Sequence, residues 1–213
     1  MVHPWGWQPG SWNTFAAGTI ASGLLFPPAS GSPLRFRSVT FHATHYAGSS
    51  MTVLESIRAL LQQRAISFRE VQHEPTLTSQ DAAEARGEEL KHGGKALLMK
   101  VGSDFALFVL PADRRAHSGS IRQELGVKKI RFASREELAT LTALENRPGL
   151  QPGSVPPFGH PILPFPLYVD AAIHENQRIA FNAGSLTDSI VMAASDYLTV
   201  AMPQQIFSFS QVE

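Results

Sequence analysis

The chain has 213 residues, no cysteine, and 18 Lys plus Arg against 18 Asp plus Glu, so its formal charge is zero. That length suits one core with an appendage; the neutral balance excludes a global field that gathers polyanions, and the missing thiols exclude disulfides, thiolate nucleophiles and cysteine-bound zinc. The absence of cysteine suits a cytoplasmic location, and no run approaches the roughly 20 apolar residues that span a bilayer, so no membrane partner is expected.

Residues 1–50 contain no Asp or Glu, only Arg35 and Arg37 as basic side chains, and all three tryptophans. Nearly all charge follows Met51. The break predicts a poorly ordered extension over 1–50, a domain over 51–202 and a tail over 203–213. The Ala16–Phe26 stretch has the hydrophobicity of a signal-peptide core but lacks the preceding basic residues. His42 and His45 have the spacing of a metal pair without a third ligand, and no metal or cofactor is expected.

From Met51 the elements follow in order. Thr52-Val-Leu-Glu55 is a capping box that opens an amphipathic helix to about Arg64. Phe68 to Gln72 reads as a strand that stops at His73-Glu74-Pro75, where proline favours extended backbone. Thr78 or Ser79 caps a short helix that Gly87 ends. Gly93 to Pro111 reads as a hairpin, two apolar runs around Gly102-Ser103-Asp104. Its entry is Lys95, an ammonium at the lip of a core, which must reach water or meet an anion. A helix from about Ser118 to Leu125, a strand over Lys128 to Phe132 and a second capping box at Ser134–Glu137 come next.

Pro148 to Pro166 then packs seven prolines and three glycines into nineteen residues. Long ordered loops of this kind are usually functional. Leu167 to Asp170, Gln177 to Asn182 and Ser189 to Met192 read as strands, with a turn at Gly184-Ser185 and a last helix capped by Ser195. The mixture predicts a single α+β domain, a mixed and largely antiparallel sheet flanked by helices. Residues 203–213 suggest no element.

His73-Glu-Pro75, Gly94-Lys95 before a hairpin, Leu110-Pro-Ala-Asp113, Lys128-Lys129, Gly153-Ser-Val-Pro-Pro157-Phe-Gly159, Val169-Asp170 and Ala183-Gly184-Ser185 occur in an order that resembles the YbaK/ProX family. These are free-standing relatives of the editing domain in bacterial prolyl-tRNA synthetases. The resemblance covers about residues 51–200. It implies a trans-acting hydrolase of the ester that joins a wrong amino acid to the 3′ end of a transfer RNA, with mischarged aminoacyl-tRNA and a synthetase as partners. It also implies that Lys95 is the functional lysine, with Gly184 and Ser185 beside it, and that Gly153, Ser154, Val155, Pro156 and Pro157, followed by Phe158 and Gly159, shape the amino-acid pocket. Gly94 and Asn182 are also placed at the substrate, although some relatives carry histidine where this chain has Asn182. The other readings are a non-catalytic module that holds an acceptor end or a synthetase, and a hydrolase of an unrelated small ester or amide.

Ester hydrolysis needs an activated water, a stabilised oxyanion and an acyl pocket. Lys95 could hold a terminal phosphate or the oxyanion. Gly153, Gly159 and Gly184 could bring backbone N–H groups close to a ligand, or simply shape turns. His73 lines the pocket or is structural, Asp170 orients a loop or positions water, and Ser185 binds substrate or caps its own turn. Arg114, Arg115, Arg122, Lys128, Lys129 and Arg131 against Asp113 and Glu124 give a local net of +4. That stretch is either a landing surface for the acceptor end or a solvated face.

Overall fold

The computed structural model describes residues 51–76, 78–144 and 146–212. The extension expected over 1–50, with His42 and His45, lies outside the described residues. In chain order the elements are α1 (Val53–Gln63), β1 (Phe68–Gln72), α2 (Ser79–Arg86), β2 (Gly94–Val101), β3 (Asp104–Pro111), β4 (Arg114–Ala116), α3 (Ser118–Leu125), β5 (Ile130–Phe132), α4 (Arg135–Thr142), β6 (Leu167–Asp170), β7 (Arg178–Asn182), β8 (Asp188–Ala193), α5 (Ala194–Ala201), β9 (Gln205–Phe207) and β10 (Ser210–Val212).

Local chemistry sets several of these boundaries. Thr52 Oγ1 accepts from Glu55 N at 3.1 Å while Glu55 Oε2 accepts from Thr52 N at 2.7 Å, so α1 starts with two orphan donors satisfied. Thr78 with Asp81 and Ser134 with Glu137 do the same for α2 and α4. α5 differs from expectation. It starts at Ala194 directly from β8, so Ser195 lies inside its first turn and the capping position is Ala193.

Three sheets result among the described residues. A mixed five-stranded sheet runs β5-β2-β3-β6-β9, an antiparallel three-stranded sheet runs β1-β8-β7, and β4 pairs with β10. In the large sheet β3, β6 and β9 are parallel neighbours and the rest antiparallel. The fold is therefore mixed α+β, as the pattern predicts. Its alternation separates two faces. Leu98, Leu107, Val109, Leu167 and Val169 share a core with α1, α4, α5 and the small sheet, whereas Met99, Ala106, Phe108, Leu110 and Tyr168 pack with Ile121 of α3 and Phe209.

The tail expected over 203–213 holds two strands, because β9 extends the large sheet along β6 and β10 covers β4. These segments are three residues long and held by distant partners, so nothing local announces them. β5 begins at Ile130, leaving Lys128 and Lys129 ahead of the strand. No helix among the described residues is long and apolar enough to cross a membrane.

The feature that positions the site is where the two main sheets touch. An isolated parallel bridge joins Gly93 to Ala180, so the start of β2 lies against the middle of β7. Gly94 permits this approach. A Cβ there would sit 2.7 Å from Ile179 Cδ1.

Candidate active site

A cleft of about 230 Å³ opens at this seam. One wall is the start of β2, Gly94 to Leu97, with Ala112; the other combines Thr78, Ser79, Ala82 and Arg86 from α2 with Asn182, and Gly153 and Val155 complete it. The α2 residues recur every three or four positions, which puts them on one side of the helix. Lys95, Gly94, Gly153, Val155 and Asn182, expected at the site from sequence, thus share one cleft.

Lys95 is half-buried, and its Nζ donates to Arg114 O at 2.6 Å and lies 3.5 Å from Ala112 O. The carbonyls after β3 therefore hold the ammonium of a residue that lines the cleft. β2 also offers backbone here. Across the two-residue turn Gly102-Ser103, Val101 pairs with Asp104, so odd-numbered β2 residues direct N–H and C=O to β3 and even-numbered ones point outward. β5 covers only Met99 to Val101, and Ala133 N donates to the outward carbonyl of Leu98. The outward groups of Ala96 face the cleft edge.

Arg86 is the residue that sequence reading missed. It is 7% exposed, and burial pushes its guanidinium down to about 10, partly offset by the nearby charge of Glu88. Glu88 itself bonds Arg69, His92 and Arg178 rather than Arg86. The Arg86 guanidinium instead donates to Ser189 Oγ at 2.9 Å and Asn182 Oδ1 at 2.6 Å, and lies 3.4 Å from Ala180 O. The signal in sequence is slight, an arginine at helical spacing from Thr78 and Ala82.

Several expected site residues stand elsewhere. Gly184 N donates to Ser154 O at 3.1 Å, so this N–H holds the neighbouring loop and is not offered to an oxyanion. Ser185 Oγ closes its own turn, donating to Asp188 and accepting from Thr187 N and Asp188 N. It does not line the cleft. Asp170 is 1% exposed and accepts from Ala172 N and Phe209 N, which makes it an internal brace. Ser154, Pro156, Pro157, Phe158 and Gly159 are buried behind the cleft, with Phe158 edge-on to Phe181 and Tyr197. His73 Nδ1 meets Glu74 O at 2.8 Å and Nε2 meets Ser189 Oγ at 2.7 Å. That pair is no nucleophile with its base, since Ser189 is 1% exposed and carries Arg86 on its oxygen.

The basic stretch is also divided. Arg114 and Arg115 lie on β4, close to Lys95, and Arg122 lies on α3. Lys129 O accepts from Gly102 N at the far end of the hairpin, and seven residues of strand put that end roughly 20 Å from Lys95. Arg131 is engaged by both carboxylate oxygens of Glu137. Lys128 and Lys129 therefore do not border the cleft. Among the described residues no three His, Cys, Asp or Glu side chains are grouped to hold a metal.

Comparison with known proteins matches this architecture to an identified group. Residues 73–200 match the family model described as the aminoacyl-tRNA editing domain. The chain is 35% identical over 169 residues to the multifunctional Ser/Thr-tRNA deacylase ProXp-y of Escherichia coli K12, covering 76% of this chain and 96% of that protein. It is 34% identical over 106 residues to a proline–tRNA ligase of Shouchella clausii, covering 50% of this chain and 17% of the ligase. A crystal structure of a candidate trans-editing enzyme for prolyl-tRNA synthetase superposes with a TM-score of 0.63 at 23% identity, over 76% of this chain and 99% of that one. With the ordered motifs, the cleft and a family model that spans more than half the sequence all in agreement, the chain belongs to the aminoacyl-tRNA editing domain family.

Proposed function

We propose that this protein removes wrongly attached amino acids from transfer RNA by hydrolysing the 3′-terminal aminoacyl ester in the cleft at the sheet seam. Water adds to the ester carbonyl, the tetrahedral intermediate carries its negative charge near Lys95, and the ribose oxygen leaves with a proton, giving free amino acid and uncharged transfer RNA. The outward backbone edge at Ala96 is a second donor surface on the same space. No side chain need attack the carbonyl. The bonding of Ser185 and Ser189 supports a route in which water, helped by a substrate hydroxyl, is the nucleophile.

The observation that carries this reading is that Lys95, its ammonium held by the carbonyls of Ala112 and Arg114, lines one cleft with Gly153 and Val155. The cleft volume suits a small acyl group, and the likeness to a Ser/Thr-tRNA deacylase supports serine and threonine as the first acyl groups to assay. The stretch shared with a proline–tRNA ligase supports a synthetase as the partner that supplies mischarged substrate. Arg114 and Arg115 are the basic residues we assign to the acceptor end, given their position beside Lys95.

The test is a panel of transfer RNAs charged with alanine, serine, threonine or proline. Release of amino acid by the wild type and its loss by about 100-fold or more in Lys95→Ala is expected, the scale of losing one oxyanion donor. The β2–β3 pairing is backbone to backbone, so the variant keeps its fold. Binding without release overturns catalysis, and unchanged turnover in the folded variant overturns the role of Lys95.

A further inference from the structure

We infer that Arg86 is a positioning residue that sets the width of the acyl pocket by way of Asn182. The inference rests on the deacylase reading above and concerns how that site chooses its substrate. A buried cation ordinarily meets a carboxylate, because an unpaired charge out of water is costly. Arg86 forms no ion pair with a carboxylate within 4.0 Å among the described residues; its closest partner is an amide oxygen, Asn182 Oδ1, at 2.6 Å.

That contact decides which way the Asn182 amide faces. Arginine can only donate, so the atom it meets must be oxygen. Ser189 Oγ lies 3.0 Å from the same oxygen, and Arg86 in turn holds Ser189 through Nε. With Oδ1 held by the guanidinium, Nδ2 is directed away from it and donates to Gly153 O at 2.8 Å. The next carbonyl, Ser154 O, is fixed by Gly184 N. Two successive carbonyls of the glycine-proline loop are thus tied to the β7–β8 hairpin, and the following residue, Val155, is the side chain this loop presents to the cleft. Removing the first tie lets the backbone at Gly153 relax and moves the Val155 wall.

Acyl groups that differ by a methyl or methylene are separated by little energy, so a small shift of one wall alters the preference. The class of ligand sieved here is the side chain of the esterified amino acid. The Arg86 cation acts through the amide and does not touch the reacting carbonyl.

The experiment is a double-mutant cycle of Arg86→Met, Asn182→Leu and the pair, assayed for kcat/KM on one transfer RNA body charged with alanine, serine, threonine or valine. Each single change should shift the ratio of small to large acyl groups by about tenfold, and the double should shift it no further, because both cut the same chain of contacts. Asn182→Asp guards against loss of fold. It keeps an acceptor for Arg86 but has no donor for Gly153 O, and should reproduce the shift. Exchange of the Gly153, Ser154 and Val155 amide hydrogens should accelerate in every variant, a readout independent of turnover. Unchanged selectivity in folded variants, or multiplicative single effects, overturns the inference. Absence of amino-acid release by the wild type itself overturns the deacylase reading and this one with it, which separates the two failures.

Discussion

Replacing Gly184 by alanine separates a packing role from a ligand-facing one. Gly184 has φ +95°, a conformation that side chains rarely adopt, at a cost of about 1–2 kcal/mol for alanine. The added Cβ would lie 2.4 Å from Val53 Cβ and 2.8 Å from its Cγ1, at the start of α1. Overpacking of that kind costs typically about 1–3 kcal/mol. Together these give a loss of about 2–5 kcal/mol, a large fraction of the roughly 5–15 kcal/mol that stabilises a domain. Urea unfolding followed by circular dichroism measures it. Shortening Val53 to alanine does not rescue the variant, because the nearest atom is the Cβ that alanine retains. Deacylation by the fraction that remains folded should stay within a few-fold of wild type, since the N–H to Ser154 O survives. A stability loss below about 1 kcal/mol, with activity abolished in folded protein, would refute the packing argument and return Gly184 to the substrate.

Two further outcomes follow from the same geometry. Tyr197, fully buried, donates to Pro157 O at 2.7 Å, and burial holds its phenol well above the ordinary value. Tyr197→Phe keeps the edge-on contact with Phe158 but strands a buried carbonyl, so thermal unfolding should show a loss of about 1–3 kcal/mol. The second concerns acid. Arg131 first, then the Ser134 N–H, lower the Glu137 carboxyl from 4.5 to about 2. A depressed carboxylate stabilises the fold above its unfolded value and ceases to do so as pH falls from about 4.5 towards 2. The difference in Tm between wild type and Glu137→Gln should therefore shrink across that window, and more so in low salt than in high; a constant difference contradicts it.

What could be read from the chain was what neighbours in sequence decide. Thr52 and Ser134 announce helix starts because a side chain three residues on completes each cap, and Thr78 or Ser79 marks a third start. Gly102-Ser103 announces its hairpin, and Lys95 stands out as a charge at the edge of an apolar run. What could not be read was set by distant pairing. Arg86 looks like a surface arginine in SQDAAEAR until β7 and β8 arrive to bury it. The basic stretch looks contiguous in one dimension, yet the hairpin length holds Lys128 and Lys129 away from Lys95. Ser185 and Asp170 sit in motifs of the family order, but hydrogen bonds within their own surroundings consume them. Polar type at a recurring position therefore did not separate a brace from a reactive group.

The pairing of β1 with β8 matters for when the cleft is completed. Phe68 opposes Met192, so this sheet joins chain segments more than a hundred residues apart, while the β2–β3 hairpin closes on itself. Long-range pairing of this kind is slow and waits for late-synthesised chain. A nascent polypeptide that ends before Asp188 already holds its lysine-bearing arm but lacks Ser189 against Arg86. The cleft wall that carries Arg86 and Asn182 thus takes its final form only after β8 has been synthesised and paired.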